Sequence, residues 1–241
     1  MRPAIMLGRV AALSLLMSGF MLVMPGVVQA DDSEQDWPNL SAYRQRDADL
    51  IAQAPVPHRV VFMGDSITEI WDRDHQTLFA DPNHINRGIS GQTTAQMLLR
   101  FRQDVIDLKP EVVVILGGTN DVAGNTGPAT DDMIAGNIAS MAELARAHGI
   151  RVVMVSILPT DHYWWAEDIH PAQRIVGLNS RLRAYAAQAD IPFVDLYSLM
   201  VADGGAIHPK YSADGVHPNV AGYAVMNAPV LAAVRRAASG K

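Results

Sequence analysis

Short apolar runs that alternate with segments of helical periodicity are the feature that most constrains the fold of this chain. The runs occupy residues 60–63, 112–116 and 152–157, and none of them alternates polar with apolar side chains. Runs of this kind are typical of parallel strands covered on both faces. Strand and helix alternation favours right-handed crossovers, so the sequence predicts an α/β fold built as a three-layer α/β/α sandwich.

The helical segments carry start and stop signals. Thr93 and Gln96 form a capping-box pattern at the start of one helix, which ends near residue 109. Asp131 and Asp132 favour the start of a second helix, and Gly149 ends it. Further helices are predicted at about residues 171–189 and 220–237, with a short leading helix in the acidic segment 31–57.

The first thirty residues have the pattern of a secretory signal peptide. Arg2 and Arg9 supply the basic region, residues 10–23 are almost wholly apolar, and Val28-Gln29-Ala30 is a small-residue cleavage site. The apolar stretch is short for a bilayer span, although an uncleaved anchor is an alternative. We therefore expect an exported protein, periplasmic or secreted, that is cleaved near Ala30.

Charge and cysteine content exclude several classes of partner and site. Cleavage after residue 30 lowers the formal net charge from −6 to −8, because the removed segment contains two arginines and no acid. Such a charge disfavours nucleic acid and anionic membranes as partners. The absence of cysteine excludes disulfides, a cysteine nucleophile and thiolate zinc sites. The remaining chain suits a short acidic segment, 31–57, followed by one domain, 58–241.

Two motifs supply the residue types of a serine hydrolase. Gly64-Asp65-Ser66 follows the first apolar run directly, and Asp214 precedes His217 by three residues near the end of the chain. A serine hydroxyl needs an imidazole to accept its proton and a carboxylate to orient that imidazole. The sequence thus predicts Ser66 as nucleophile, His217 as base and Asp214 as the residue that orients it.

Two further blocks lie between these motifs, one containing Gly88 within residues 86–91 and one containing Asn120 within residues 117–121. With Ser66 and His217 they follow the order of the SGNH (GDSL-type) hydrolase superfamily, which the chain resembles over residues 60–223. The resemblance implies a flavodoxin-like fold around a mainly parallel five-stranded sheet. It also implies an oxyanion hole formed by the backbone amides of Ser66 and Gly88 and the side-chain amide of Asn120, and a reaction that needs no cofactor.

The predicted position of these blocks agrees with the chemistry. Ligands of open α/β sheets bind beyond the carboxyl ends of the strands, and we expect Ser66, Gly88 and Asn120 each to follow a strand at that edge. Ester hydrolysis develops negative charge on the carbonyl oxygen, which preorganised donors stabilise. Gly88 has no Cβ, so its backbone can approach a substrate closely.

Substrate candidates come from the loop after the third apolar run and from the residue next to the nucleophile. Trp164 and Trp165 present flat apolar faces suited to a sugar ring or a short acyl group, although one or both can instead anchor the loop. Asp65 is the third candidate. The motif spacing resembles the platelet-activating-factor acetylhydrolase-like and carbohydrate-esterase branches, so an acetyl or other short acyl ester of a small molecule or carbohydrate is the expected substrate.

Several alternatives stay open at this point. The same triad serves a lipolytic esterase, a lysophospholipase, a thioesterase or a carbohydrate O-acyltransferase, and a non-catalytic carbohydrate-binding protein is a further class. A metal site could in principle be assembled from Asp161, His162, His208, Asp214 and His217, but no pair of them has the helical spacing of a known ligand motif, so no metal is expected. The oligomeric state is left open.

Overall fold

Five parallel strands form one sheet in the part of the chain that the structure describes, residues 36–53, 56–74 and 77–240 of a computed structural model. The sheet order is β2-β1-β3-β4-β5, and all four neighbouring pairs are parallel. The strands are β1 (Val60–Gly64), β2 (His84–Gly88), β3 (Val112–Leu116), β4 (Arg151–Val155) and β5 (Phe193–Val194). The three predicted strands correspond to β1, β3 and β4.

Helices cover both faces of this sheet. They are α1 (Arg44–Ala52), α2 (Ser66–Asp74), α3 (Thr94–Phe101), α4 (Thr119–Val122), α5 (Asp131–Ala147), α6 (Ala172–Gln188), α7 (Leu196–Met200) and α8 (Val220–Ser239). The predicted helices agree with these bounds, apart from a π-helical turn, Arg102–Ile106, that continues α3. The five-stranded parallel sheet and its helices confirm the predicted α/β/α class.

The two faces of the sheet have separate cores because successive strand side chains point to opposite sides. One core combines Val61 and Met63 with apolar residues of α3, α5 and α6. The other combines Val60 and Phe62 with residues of α2, α7 and α8, including the fully buried Trp71. Strands buried on both sides therefore account for the apolar runs of the sequence.

The segment before β1 contains α1 where the sequence predicts a short leading helix, but polar contacts hold it in place. Arg87 of β2 donates to the Asp47 carboxylate, and this ion pair is buried on both sides. The Tyr43 hydroxyl donates to the Gly88 carbonyl. Ile51, an apolar residue near the end of α1, is exposed.

Some sequence predictions concern residues that the structure does not describe. The signal segment 1–30 and the start of the acidic segment lie outside the described residues. Among the helices that are described, none is long and apolar enough to cross a bilayer.

Candidate active site

The predicted site residues meet at the carboxyl edge of the sheet. Ser66 begins α2 two residues after the end of β1, Asn120 lies in α4 after β3, and Gly88 is the last residue of β2. His217 comes from the loop that precedes α8. Parallel strands end at the same edge, so segments far apart in sequence are brought to one place.

A hydrogen-bonded chain joins the three residues predicted as a triad. The Nε2 atom of His217 lies 2.9 Å from the Ser66 hydroxyl oxygen. The Nδ1 atom of the same imidazole lies 2.7 Å from Asp214 Oδ2. With Nδ1–H donating to the carboxylate, Nε2 is the free acceptor that faces the hydroxyl, as proton removal from Ser66 requires.

A tight turn before α8 fixes the Asp214 carboxylate. Its Oδ1 atom accepts the backbone amides of Val216 at 2.9 Å and His217 at 2.8 Å, while Oδ2 faces the imidazole. Partial burial alone would raise the pKa of Asp214, but the hydrogen bonds from His217 and from these amides outweigh it and lower the pKa to about 2. The Asp214 carboxylate is therefore ionised at neutral pH.

The Asp65 side chain is buried and accepts a hydrogen bond within the turn that leads into α2. Its Oδ1 accepts the Ile67 amide at 3.0 Å, the arrangement of a helix N-cap, and this bond shapes the turn that presents Ser66. The side chain is only 1% exposed, and it is absent from the lining of the cavity beside Ser66. Burial raises the pKa of Asp65 to about 7. This placement does not agree with the predicted contact between Asp65 and substrate.

The side-chain amide of Asn120 lines the cavity, and two hydrogen bonds fix its orientation. Its Nδ2 donates to the Gln92 carbonyl at 2.9 Å, and its Oδ1 accepts from Asn125 Nδ2 at 2.9 Å. An amide nitrogen carries two hydrogens, so one remains available to a ligand. Asn120 lines the same cavity as Ser66 and His217, as the sequence predicts.

Gly88, by contrast, is wrong as an oxyanion donor. Its amide donates to Asn86 Oδ1 at 2.7 Å, and so it is already occupied. A Cβ at position 88 would lie 2.2 Å from the Glu69 backbone nitrogen, which shows that glycine is needed there for packing between β2 and α2. Position 88 thus requires glycine, as the sequence predicts, but for packing rather than for access of a substrate.

Gly91, three residues later, has the position that the prediction gave to Gly88. It lines the cavity with Ser66 and Asn120, and its φ of +79° is a value that residues with a side chain rarely adopt. Within the described residues, the amides of Gly91 and Ser66 have no hydrogen-bond acceptor. The second glycine of the block at residues 86–91 was the sequence signal that could have identified it.

The aromatic loop after β4 forms one wall of the site. Tyr163 is fully buried, and its hydroxyl lies 3.0 Å from Thr119 Oγ1, so this residue anchors the loop. Trp164 is 60% exposed, and the Trp165 indole donates to Asn125 Oδ1 at 2.9 Å. The cavity of about 310 Å³ is lined by Ser66, Ile70, Ser90, Gly91, Asn120, Asn125, Trp164, Trp165 and His217.

Arg100 supports the site from behind and was not identified from the sequence. It is fully buried and donates to the carbonyls of Gly64 and Arg87, the residues that end or nearly end β1 and β2. Its Nε donates to Gln92, whose carbonyl accepts from Asn120. The Arg100 guanidinium thus joins the segments that carry Ser66 and Gly91, and Gln92 links it to Asn120.

The other ionisable groups considered in the sequence do not assemble a metal site. His162 Nδ1 lies 2.8 Å from Asp161 Oδ1, an exposed pair within the aromatic loop. No group of three potential ligands that could hold an ion occurs among the described residues.

A second cavity, of about 540 Å³, lies at the amino-terminal end of β4, away from the catalytic edge of the sheet. There Arg146 donates to the Ala189 carbonyl, and Arg151 donates to the Ala238 carbonyl.

Comparison with known proteins agrees with this geometry. A model of the GDSL-like lipase/acylhydrolase family matches residues 62–225. The esterase TesA of Pseudomonas aeruginosa is 30% identical over 184 residues, which cover 71% of this chain and 85% of TesA. The uncharacterized lipoprotein YqeF of Bacillus subtilis is 29% identical over 140 residues, which cover 50% of this chain and 58% of YqeF.

A solved structure extends the likeness to the whole domain. A GDSL-like lipase from Bacteroides thetaiotaomicron is 48% identical to this chain, with a TM-score of 0.80. The match covers 83% of this chain and 99% of the lipase. The chain therefore belongs to the GDSL-like lipase/acylhydrolase family, and it is a carboxylic ester hydrolase.

Proposed function

We propose that this esterase acts through Ser66, His217 and Asp214 and that it hydrolyses acetyl or other short-chain acyl esters of a polar alcohol such as a carbohydrate. The observation that carries the catalytic assignment is the position of the His217 ring, which lies within hydrogen-bond distance of both the Ser66 hydroxyl and the Asp214 carboxylate. Imidazole in this position can accept a proton from one side while the other nitrogen is held in one tautomer.

Acylation begins when Ser66 Oγ attacks the ester carbonyl and its proton passes to His217 Nε2. The carbonyl oxygen becomes negative and is stabilised by the amides of Ser66 and Gly91 and by Asn120 Nδ2. Collapse of this intermediate breaks the bond to the alcohol, which takes the proton from His217. Asp214 stabilises the imidazolium while it exists and remains ionised throughout.

Deacylation repeats the same proton movements with water. His217 accepts a proton from the water as it attacks the acyl carbonyl, and the oxyanion is again held by the three donors. Ser66 then leaves with the proton from His217, and the carboxylic acid is released. Every transfer uses side chains and backbone amides of this chain, so the proposed mechanism needs neither a metal nor a cofactor.

The size and lining of the cavity support a short acyl group. At about 310 Å³ the cavity is at the small end of ligand sites, and Ile70 together with the two tryptophans forms its apolar surface. The exposed indole of Trp164 lies at the rim, where a flat face can stack on a sugar ring of the leaving group. A long acyl chain would extend beyond the cavity into solvent.

The proposal extends to export. The signal-peptide pattern of residues 1–30 supports a mature, periplasmic or secreted enzyme that begins near Asp31, with the hydrolase domain from about residue 58. N-terminal sequencing of the protein recovered from outside the cytoplasm tests this directly. A retained Met1 in that fraction would contradict cleavage.

Two measurements test the proposal. The activity of the Ser66→Ala variant tests the catalytic assignment, and the activity of the wild type across an acyl-chain series tests the substrate assignment. We expect kcat/KM to fall on the order of 10³-fold or more in this variant with the melting temperature preserved, because a small hydroxyl contributes little to packing. In the wild type, acetyl esters should be hydrolysed faster than palmitoyl esters. Preference for palmitoyl esters would favour a lipolytic role, and acyl transfer to a sugar acceptor in place of hydrolysis would favour an O-acyltransferase.

A further inference from the structure

Asn125 makes three side-chain hydrogen bonds that connect separate parts of the site. Its Nδ2 donates to the Gly91 carbonyl at 3.1 Å and to Asn120 Oδ1 at 2.9 Å. Its Oδ1 accepts the Trp165 indole N–H at 2.9 Å. Gly91 and Asn120 carry two of the proposed oxyanion donors, and Trp165 belongs to the wall that faces the substrate.

The chemistry of these partners permits one orientation of the Asn125 amide. An indole N–H can only donate, and a backbone carbonyl can only accept. The Asn125 oxygen must therefore face Trp165, and its nitrogen must face Gly91 and Asn120. Because the loop that carries Asn125 is fixed by a bond from its own backbone amide to the Asn120 carbonyl at 3.0 Å, the side chain has little freedom to move away.

The orientation of Asn125 determines in turn which end of the Asn120 amide faces the substrate. With Asn120 Oδ1 accepting from Asn125, the Asn120 nitrogen is directed to the Gln92 carbonyl and the cavity. The reversed amide would place its oxygen against the Gln92 carbonyl and against the negative charge that forms in the reaction. An acceptor in that position would repel the oxyanion instead of stabilising it.

We propose that Asn125 is a positioning residue that holds the Asn120 amide and the Gly91 loop in the orientation that binds the oxyanion and that ties both to the substrate wall at Trp165. This inference rests on the proposed function of Asn120 and Gly91. Asn125 itself does not touch the reacting atoms. Its effect must therefore appear in kcat rather than in the binding of the uncharged ester.

Two substitutions test the positioning role. In Asn125→Ala all three side-chain bonds are lost, and we expect kcat for a small activated acetate to fall on the order of 10-fold with KM nearly unchanged, part of the 10²-fold to 10³-fold typical of a lost oxyanion donor. Asn125→Asp keeps the shape and the bond to Trp165 but turns an acceptor toward Asn120 Oδ1 and Gly91 O. It should lose more activity than Asn125→Ala, on the order of 10²-fold.

Asn227→Ala is a matched control. The Asn227 side chain accepts the Trp71 indole N–H at 2.9 Å, the same contact that Asn125 makes with Trp165, but Asn227 lies in α8 and does not line the cavity. Its substitution should leave kcat unchanged. Because Asn125 is exposed, both of its variants should fold, and their melting temperatures verify this.

A double-mutant cycle with Asn120→Ala separates positioning from a general effect on the loop. If Asn125 acts mainly through Asn120, its substitution should cost only about threefold or less once Asn120 is already alanine. An undiminished loss in that background, a change confined to KM, or full kcat in both Asn125 variants would overturn the inference. Normal kcat in Asn120→Ala alone would instead reject the oxyanion assignment itself, and the inference with it.

Discussion

Asp65→Asn should alter how stability depends on pH, because the carboxyl group of Asp65 is buried with only one hydrogen bond donated to it. Oδ1 accepts the Ile67 amide, while Oδ2 has no partner among the described residues. Burial raises the pKa of Asp65 from 3.8 to about 7, against the opposing effects of the Ile67 amide and His217. The folded state therefore retains a proton that the unfolded chain releases near pH 4.

The sign and size of the effect follow from that difference in proton binding. Stability contributed by a protonated Asp65 is fully present below the unfolded pKa and is lost as pH rises through the folded pKa. Each pKa unit corresponds to about 1.4 kcal/mol, so the whole shift is worth about 4 kcal/mol, of which about 2–3 kcal/mol is lost between pH 5 and pH 8. Asparagine at position 65 does not titrate and has no such loss.

Urea unfolding of both proteins at pH 5 and pH 8 measures this difference. Relative to the wild type, Asp65→Asn should gain about 2–3 kcal/mol of unfolding free energy on going from pH 5 to pH 8. Taking the difference between the two proteins cancels the titration of groups that the substitution does not affect. A difference in stability that is the same at both pH values would refute the account of Asp65 as a buried, protonated group.

Other residues give predictions of their own. Arg100→Leu should lower the unfolding free energy by about 3–5 kcal/mol in urea titrations, because it leaves the buried Asp104 carboxylate without its ion-pair partner and removes a donor from the carbonyls of Gly64 and Arg87; a loss below about 1 kcal/mol would contradict the supporting role of Arg100. Trp164→Ala should raise KM for an acetylated oligosaccharide far more than for a small activated acetate, whereas equal changes would exclude a sugar platform. His217→Ala should lower kcat/KM on the order of 10³-fold or more, because Ser66 loses the group that accepts its proton; near-normal activity in the folded variant would argue against His217 as the base.

The strands illustrate which parts of the fold are readable from sequence. β1 and β3 lie inside the sheet and are buried on both faces, so their residues are apolar without interruption. β2 is an edge strand with the sequence His-Ile-Asn-Arg-Gly, and its polar residues serve the bond to Thr68 and the ion pair with Asp47. β5 has only two residues. Neither edge strand has a local pattern that distinguishes it from a loop.

The site residues likewise differ in how readily the sequence identifies them. Ser66, Asn120 and His217 were identifiable because their residue types and their order along the chain are restrictive. Gly88 and Gly91 are two glycines in one short block. Asn86 Oδ1 accepts the Gly88 amide, whereas the Gly91 amide has no acceptor in the described part of the chain. The contacts of Asn125 with Gly91 and Trp165 join residues 34 and 40 positions away, so only the folded structure reveals them.

Trapping the acyl-enzyme tests the central claim most directly. The protein is mixed with an activated acetate ester, quenched in acid during turnover and digested, and the mass of each peptide is measured. We predict one added acetyl group on the peptide that contains Ser66, and none on the same peptide from the folded Ser66→Ala variant, which should also be inactive. An acetyl group attached to another residue during turnover, or full hydrolytic activity in Ser66→Ala, would contradict the proposed mechanism.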